Sequence, residues 1–335
     1  MKASVSGRLI GYGVLFACII ASLWLVQNRQ YVLDQLAFSQ YQPSSEIASL
    51  ATRSGMADEG RFYFYVSNPK VNGSKEFNSL CPRAEQKSAI LGCYTPEMKI
   101  HVFDVPNAQL DVIKEVTASH EMLHAAWDRL SDAERRETGI LLESEYKKQN
   151  NPELNARMEY YARAEPAERT NELHSIIGTE FVAISPELEA YYRQYFSDRQ
   201  AVVTLHQGYE KVFKDLEAAS QNLLAQVRQL KSEVDGRLEA YNANREALGQ
   251  EGDAIQAQYA SLNRSSGSEV NAYNSRVNTY NSQLRLLNSE HDQIVSLIDQ
   301  YNARVVAYNN AVTNQQNLQK SIDSAEAPAP IGQSI

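Results

Sequence analysis

The sequence IKEVTASHEMLHAAW, residues 113–127, places His120 and His124 four residues apart, with Glu121 directly after the first histidine. Apolar residues upstream of this pair predict an amphipathic helix over residues 109–130 with one buried side. Residues four apart share a face of a helix. We therefore expect both imidazoles to project from one side of the helix, close enough to hold a single zinc ion.

Glu121 flanks the face that carries the two histidines. From this position its carboxylate is expected to take a proton from water on the metal and so act as a general base. The plainer interpretation of the same residues is an ordinary amphipathic helix with two surface histidines. The predicted strand over residues 99–105 (KIHVFDV), just before the helix, favours the metal site over that alternative.

A catalytic zinc site needs a third protein ligand and keeps one position open. The best candidate is Glu172, with His174 and Glu180 as rivals. Glu172 and His174 are two residues apart on a helix and point in different directions, so only one of them is expected to face the metal. If His174 does not bind the metal, it is a candidate for stabilising an oxyanion, as are Tyr160 and Tyr161.

The pattern His120-Glu121-x-x-His124, with Asn171-Glu172-x-x-Ser175 and Ile-Gly-Thr downstream, resembles the two motif helices of thermolysin-like gluzincins, a group of zincin metallopeptidases. In that group the glutamate of the downstream motif binds zinc, which would make Glu172 the third ligand. Trp127 and Leu130 stand where a metzincin requires Gly and His, which excludes that class. The resemblance implies a small zincin-like metallopeptidase domain, α+β and mostly helical, with a short β-sheet.

Residues 9–26 (LIGYGVLFACIIASLWLV) form an uncharged apolar run near the N-terminus. As a helix this run would extend about 27 Å, close to the hydrocarbon thickness of a bilayer. Lys2 and Arg8 precede it, and positive charge on that side predicts an N-terminus inside and the remaining chain outside the cytoplasmic membrane. We expect an uncleaved single-pass transmembrane anchor; a cleaved signal peptide or lipidation at Cys18 is the alternative.

Two of the three cysteines, Cys81 and Cys93, lie close together upstream of the histidine pair. They have no further Cys or His at the spacing of a zinc finger, so in an exported protein they are predicted to form a disulfide. Two buried thiols are the alternative. An exported, anchored chain would place the metal site at the cell surface or in the periplasm.

The rest of the chain is predicted from periodicity and capping signals. Residues 61–66 (RFYFYV) are expected to form a strand, and Ser131-x-x-Glu134 is a capping box that begins a helix ending near Asn150. Prolines predict further helices over residues 152–164 and 166–183. Ser185 is expected to cap a very long helical stretch.

The last third of the chain carries a heptad repeat on either side of a Ser/Gly-rich break at 263–268. Alternating steps of four and three are typical of the apolar seam of a coiled coil and predict an antiparallel helical hairpin. Five Tyr-Asn pairs and His291 are interpreted as part of that seam. The seam positions are Val227, Val234, Tyr241, Leu248, Ile255 and Leu262 in the first arm, and Tyr273, Val277, Tyr280, Leu284, Leu287, His291, Ile294, Ile298, Tyr301, Val305, Tyr308 and Val312 in the second.

These features divide the chain into six predicted segments. In chain order they are a cytoplasmic N-terminus (1–8), a transmembrane anchor (9–26), a juxtamembrane linker with a short helix near 46–53 (27–60), a zincin-like domain (61–200), a coiled-coil hairpin (201–324) and a disordered tail (325–335).

The formal net charge is −9 and no basic stripe occurs, which gives nucleic-acid binding no support. We expect a membrane-anchored extracytoplasmic zinc metalloendopeptidase with Zn²⁺ as its cofactor and a protein or peptide as its substrate. The alternative is a non-catalytic envelope scaffold or adaptor with a structural or vestigial zinc site. A hydrolase of cell-wall material is a third possibility. The hairpin is a candidate surface for a protein partner or for self-association.

Overall fold

The structure is a computed structural model that describes residues 5–82 and 90–326, with side chains described from residue 12 onward. It is mostly helical and contains a small three-stranded sheet. Contacts divide the chain into two compact units, the first within Met1–Val212 and Leu318–Ile335, and the second Phe213–Asn317. The mostly helical α+β class predicted from the sequence is therefore confirmed in its coarse form.

The described elements of the chain follow one another in a simple order. They are α1 Val5–Gln27, α2 Arg29–Gln40, α3 Ser45–Arg53, α4 Asp58–Val66, β1 Lys70–Asn72, α5 Ser74–Leu80, β2 Gly92–Tyr94, β3 Ile100–Phe103, a 3-10 turn Ala108–Leu110, α6 Ile113–Arg129, α7 Asp132–Gln149, α8 Pro152–Ala164, α9 Arg169–Glu180, α10 Pro186–Tyr192, α11 Arg199–Ser261 and α12 Gly267–Ile322.

The sheet has the strand order β1-β3-β2, with β1 parallel and β2 antiparallel to the central strand. Strand β3 confirms the strand predicted over residues 99–105, and all four of its residues are buried. Helix α6 packs against both β3 and β2. The sheet thus forms one wall beside the helix that carries the histidine pair.

The strand predicted over residues 61–66 is wrong, because these residues form the end of helix α4. Asp58 begins this helix, where a carboxylate interacts favourably with the helix N-terminus. Phe64 and Val66 are buried inside the unit. Aromatic residues favour strands locally, but packing against neighbouring elements overrides this preference.

Helices α7 and α8 lie where the sequence predicts them, whereas α6 begins at Ile113, four residues after the predicted start at 109. The capping box is complete: the Ser131 side chain accepts from the backbone of Glu134, whose carboxylate accepts in return from the backbone of Ser131. Helix α7 ends at Asn150, which adopts the left-handed conformation common after a helix. Helix α8 begins at Pro152, as its first-turn proline predicts.

Two predicted helix boundaries downstream are wrong. The helix expected over residues 166–183 is shorter, Arg169–Glu180. Ser185 caps only the short helix α10, and the long helix begins later, at Arg199. The reason is a tertiary contact, since Phe196 pairs with Met56 in an isolated β-bridge that a continuous helix would not allow.

The segment predicted as a juxtamembrane linker, residues 27–60, contains the folded helices α2 and α3. The short helix expected near residues 46–53 is present as α3, and Ile47, Leu50 and Ala51 on it are buried. Asp34 of α2 is buried as well. This segment therefore contributes to the core of the first unit.

Helix α1 presents an apolar surface to its surroundings, because the described side chains from residue 12 to residue 27 are all exposed. Among the described residues, no single helix has both the length and the hydropathy expected of a membrane span. The helical segments Tyr12–Gln27 and Arg29–Gln40 have this length and hydropathy when taken together, and they are bent by 76° relative to each other.

Cys81 and Cys93 form a disulfide, as predicted. Cys93 is the central residue of β2, and Cys81 follows the last residue of α5. The bond therefore ties the edge strand of the sheet to the preceding helix. Cys18 is a free, exposed cysteine on α1.

The second unit consists of antiparallel arms from α11 and α12. The ring of Tyr259 lies 5.8 Å from that of Tyr273, and the ring of Tyr241 lies 5.9 Å from that of His291. Tyr241 precedes Tyr259 in the first arm, whereas their partners occur in the reverse order in the second arm, so the two arms are antiparallel. The break between the arms, after Ser261 and before Gly267, coincides with the predicted tip.

The predicted seam is recovered in part. Val234, Leu287 and Ile294 are buried, whereas Leu284 is exposed. His291 contacts the ring of Tyr241, in agreement with its interpretation as a seam residue. Of the tail predicted to be disordered (325–335), residues from 327 onward lie outside the described part of the chain.

Candidate metal centre

The candidate metal centre lies where α6 packs against α9. Leu123 of α6 and Ile177 of α9 are fully buried, and the side chain of Leu123 lies against Gly178. A side chain at position 178 would meet Leu123 Cδ1 at 2.5 Å, so glycine lets the two helices approach closely. This packing brings the downstream Asn-Glu motif beside the histidine pair.

His120, His124 and Glu172 converge on one point. Each offers one ligand atom, and these atoms lie within 4.8 Å of one another, so the group could hold a metal ion. His120 Nε2 lies 3.5 Å from one carboxylate oxygen of Glu172, and His124 Nε2 lies 3.6 Å from the other. Among the described residues no other group of histidine, cysteine or acidic side chains meets this criterion.

Two imidazoles and one carboxylate form a donor set that could hold a metal ion. Ligands about 2.0–2.1 Å from a tetrahedral ion stand about 3.3 Å apart, close to the separations between the glutamate oxygens and the imidazole nitrogens. Those separations exceed the usual length of a direct hydrogen bond, about 2.7–3.2 Å. Three converging ligands also leave one position for a substrate or water. The side chains of His120 and Glu172 are 21% and 17% exposed, which opens the group to solvent.

Side chains of α9 contact Nδ1 of His124 and orient its ring. Its Nδ1 lies 2.9 Å from Asn171 Oδ1 and 3.4 Å from Ser175 Oγ. The amide nitrogen of Asn171 donates to Glu168 at 2.9 Å, so its oxygen must face the histidine. Nδ1 therefore carries the proton and donates it to Asn171, which leaves Nε2 as the metal-binding nitrogen.

The three candidate ligands influence one another's pKa values. Burial alone would raise the pKa of Glu172, but attraction to His124 and His120, together with a hydrogen bond from Tyr161, outweighs burial and lowers it to about 2. Burial lowers the pKa of His120. For His124 burial also acts downward, but Glu172 and Glu121 together raise its pKa. A carboxylate that stays ionised is the form that binds a cation.

Glu121 lies beside the ligand group and is 5% exposed. Burial raises its pKa to about 7, with His124 acting downward and Glu172 upward, and a hydrogen bond from the backbone of Tyr94 acting downward. Its carboxylate thus lies against β2. A Cβ at Gly92 would meet Glu121 Oε1 at 2.6 Å and Thr117 Cγ2 at 2.5 Å, so glycine makes the room that Glu121 occupies.

His174 does not join the metal group. It is fully buried, with its Nε2 3.0 Å from the hydroxyl of Tyr191 and its ring 5.1 Å from that of Trp127. Burial lowers its pKa to about 3, with repulsion from His124 and His120 acting in the same direction. His174 therefore lies in the core and does not approach the metal group that contains Glu172.

Glu180 is also separate from the metal group. It accepts two hydrogen bonds from Arg157, at 3.0 Å and 2.6 Å, and lies 3.6 Å from His206 Nε2. Burial raises its pKa to about 7, with Arg157 acting in the opposite direction. Of the three candidates for the third ligand, only Glu172 approaches the histidine pair.

Tyr161 of α8 lies at the metal group, whereas Tyr160 lies one residue away with its ring 5.3 Å from that of Tyr161. The hydroxyl of Tyr161 shares a hydrogen bond with Glu172. Burial, together with the charge of Glu172, raises the pKa of Tyr161 well above its usual value, so the hydroxyl stays protonated. Tyr161 can therefore donate a hydrogen bond next to the candidate metal ligands.

No protein-family description matches this chain, and neither a curated protein nor a solved structure is similar to it. The gluzincin resemblance accordingly rests on its two short motifs.

Sequence reasoning missed two residues of this site. Asn171 stands directly before Glu172, and a polar side chain at that place is a signal for a partner that orients a ligand histidine. Gly92 precedes Cys93 in a short strand, where glycine signals a close approach of another group. Only the fold, however, shows which group approaches.

Proposed function

We propose that this protein is a zinc metallopeptidase of the zincin type, anchored to a membrane by α1. The observation that carries the proposal is the convergence of His120, His124 and Glu172 on one point, with the buried carboxylate of Glu121 beside them. This is the ligand set of a Glu-type zincin, with the fourth position left for substrate.

The chain's own residues supply the proton transfers. Zinc at this site would polarise a peptide carbonyl and lower the pKa of water toward neutrality. Glu121 takes a proton from the attacking water and returns it to the leaving nitrogen, a role suited to a buried carboxylate beside the ligand group. Tyr161 donates its hydroxyl hydrogen bond to Glu172 and so stabilises this ligand as a carboxylate.

The sheet edge beside Glu121 supports a peptide as the substrate class. Within residues 5–82 and 90–326, strand β2 pairs with β3 on one side and with no strand on the other. An extended peptide can add to such an edge through backbone hydrogen bonds. Because Gly92 of β2 touches Glu121, a peptide bound along this strand would pass the general base.

Helix α1 and the disulfide support an extracytoplasmic location. Large apolar side chains along α1 are exposed, among them Phe16 at 66% and Leu23 at 63%, and a bilayer would cover them. Disulfides persist in oxidising compartments, and Cys81–Cys93 fits that setting. We propose a single-pass protein with its N-terminus inside and the metal centre at the cell surface or in the periplasm.

The test uses purified full-length protein in nanodiscs. We expect about one zinc per chain by elemental analysis and cleavage of peptides from a broad library. Glu121→Gln should abolish cleavage and keep the zinc, because the general base contributes about 10²–10⁴-fold to such reactions. The control is Glu137→Gln, the same chemical change at an exposed position of α7. Equal cleavage by the Glu121 variant and the parent would contradict the mechanism.

The second candidate function is a non-catalytic envelope scaffold or adaptor. The observation that favours it is the length of α11 and α12, 63 and 56 residues. Such a hairpin offers a surface for a protein partner or for self-association. Protein that lacks bound metal after preparation without chelators, and that cleaves no peptide, would support the scaffold over the peptidase.

A further inference from the structure

Helix α2 follows α1 after a single residue and turns away from it by 76°. Membrane-spanning helices tilt on average by about 20° from the bilayer normal. If α1 crosses the bilayer, α2 therefore runs close to the membrane plane, directly at the surface. Arg29 begins α2 and Tyr31 is 56% exposed, and these are residue types that favour the headgroup region.

Helix α2 has two different faces. On one face Asp34 is buried, and the ring of Phe38, four residues on, is 43% exposed and lies 5.1 Å from that of Phe62 in α4. On another face Leu33 and Leu36 are 45% and 55% exposed. Residues three apart share a side of a helix, so the two leucines form one apolar surface that points away from the protein.

The buried face joins α2 to the helix of the metal centre. Arg129, the last residue of α6, donates from Nε and Nη2 to the two oxygens of Asp34, at 2.7 Å and 2.9 Å. The two side chains are only 7% and 8% exposed. Arg129 also donates to the hydroxyl of Tyr94 in β2, at 3.3 Å. A buried two-point ion pair of this kind fixes both distance and orientation.

We propose that α2 lies in the headgroup layer of the membrane, with Leu33 and Leu36 inserted, and holds the metal centre at a fixed place above the bilayer. The proposal rests on the anchoring role of α1 proposed above. A lipid surface is favoured over a protein partner because the leucine surface continues the exposed apolar surface of α1 across one residue of chain. A helix that lies in the membrane plane and exposes apolar side chains beside basic and aromatic residues binds in this way.

The ion pair sets how far the metal centre is from the membrane. Arg129 and His120 are nine positions apart on α6, which is about 14 Å along the helix axis. Helices α2 and α6 joined side by side add about 10 Å. The metal centre therefore lies within roughly 25 Å of α2. This distance favours cleavage sites in membrane-attached proteins, close to the point where their chains leave the bilayer.

The test measures the depth of spin labels in full-length protein reconstituted in nanodiscs of phosphatidylcholine and phosphatidylglycerol. A nitroxide on the native Cys18 reports on α1. In a Cys18→Ser background, Leu33→Cys and Leu36→Cys report on α2, and Ile140→Cys, 71% exposed on α7, is the control. Accessibility is compared for oxygen, which concentrates in lipid, and for a water-soluble nickel complex.

We expect labels at 18, 33 and 36 to be accessible to oxygen and protected from nickel, with 18 the deepest, and the label at 140 to be accessible to nickel. If 18 is protected but 33 and 36 behave as 140 does, the inference fails while the anchor stands. If 33 and 36 are shielded from both agents, protein covers α2 and the inference also fails. If 18 is accessible to nickel, the anchor itself fails.

Discussion

Asn171 of α9 accepts a hydrogen bond from His124 of α6 across 2.9 Å, on the side of the imidazole opposite the metal-binding nitrogen. This contact fixes the tautomer and the angle of the ring. We predict that Asn171→Ala weakens zinc binding by about 10- to 100-fold, the cost typical of losing such an outer partner. Competition against a chromophoric chelator measures the change.

The matched variant combines Asn171→Asp with Glu168→Gln, which keeps an oxygen acceptor at position 171 and replaces the neighbouring carboxylate with an amide that can donate to it. Its zinc affinity should stay within a few-fold of the parent, because an aspartate oxygen still accepts from Nδ1 of His124. Equal affinity of the alanine variant and the parent would show that Asn171 does not orient the ligand.

Gly92 provides a second prediction, this time for catalysis. A methyl group there would lie 2.6 Å from Glu121 Oε1 and 2.9 Å from its Cγ, so Gly92→Ala must displace the general base. We expect peptide cleavage to fall by at least about 10-fold, within the range that general acid–base catalysis contributes. Zinc content should be unchanged, because the atoms nearest to this methyl group belong to Thr117 and Glu121 and not to the three ligands.

Gly73→Ala is the control for that substitution, since a Cβ at Gly73 meets nothing within 4 Å. Its cleavage rate should match the parent. Loss of zinc from the Gly92 variant would contradict the prediction, because the damage would then extend beyond Glu121.

The identity of the third ligand gives a third prediction. Glu172→Gln removes the carboxylate that lies 3.5 Å and 3.6 Å from the two imidazole nitrogens. We expect zinc affinity to fall by more than about 100-fold, beyond the effect of outer partners. Glu180→Gln, the same change two turns along α9, should keep its zinc. Elemental analysis after dialysis against a weak chelator would separate the two variants, and zinc loss in the Glu180 variant alone would reverse the assignment.

Features that depend on neighbouring residues could be predicted from the sequence, whereas features that depend on contacts between distant segments could not. Signals contained in one turn were accurate: the capping box at Ser131 and Glu134 and the proline that begins α8 both act through neighbouring residues. The aromatic segment at 61–66 failed because its helical state depends on burial against distant parts of the chain. The Met56–Phe196 bridge, which interrupts the helix expected from Ser185, is likewise a contact between distant segments.

The same distinction applies to the metal centre. The spacing of His120 and His124 on one helix is local, and the geometry agrees with it. The choice among Glu172, His174 and Glu180 depends on which face of α9 meets α6, and that face is set by packing around Gly178 and Leu123. Helical geometry in the sequence excluded shared coordination by Glu172 and His174, but only the fold buries His174.

The disulfide gives the final prediction, for stability. Cys81–Cys93 closes a loop with a sequence separation of 12 residues, and loops of this size contribute about 3 kcal/mol by restricting the unfolded chain. Cys81→Ser with Cys93→Ser should therefore lower the free energy of unfolding of the first unit by about 2–4 kcal/mol. Because the bond holds β2, whose Gly92 lies against Glu121, peptide cleavage should fall as well.

Urea unfolding followed by the fluorescence of Trp127 measures this change at the metal helix itself, where Trp127 is 8% exposed. The measurement uses a Trp24→Phe background, since Trp24 on α1 is the other tryptophan of the chain. Cys18→Ser is the control, because Cys18 is the free cysteine on α1 and should leave the unfolding midpoint in place. An unchanged midpoint in the double variant would mean that neighbouring contacts hold β2 without the bond.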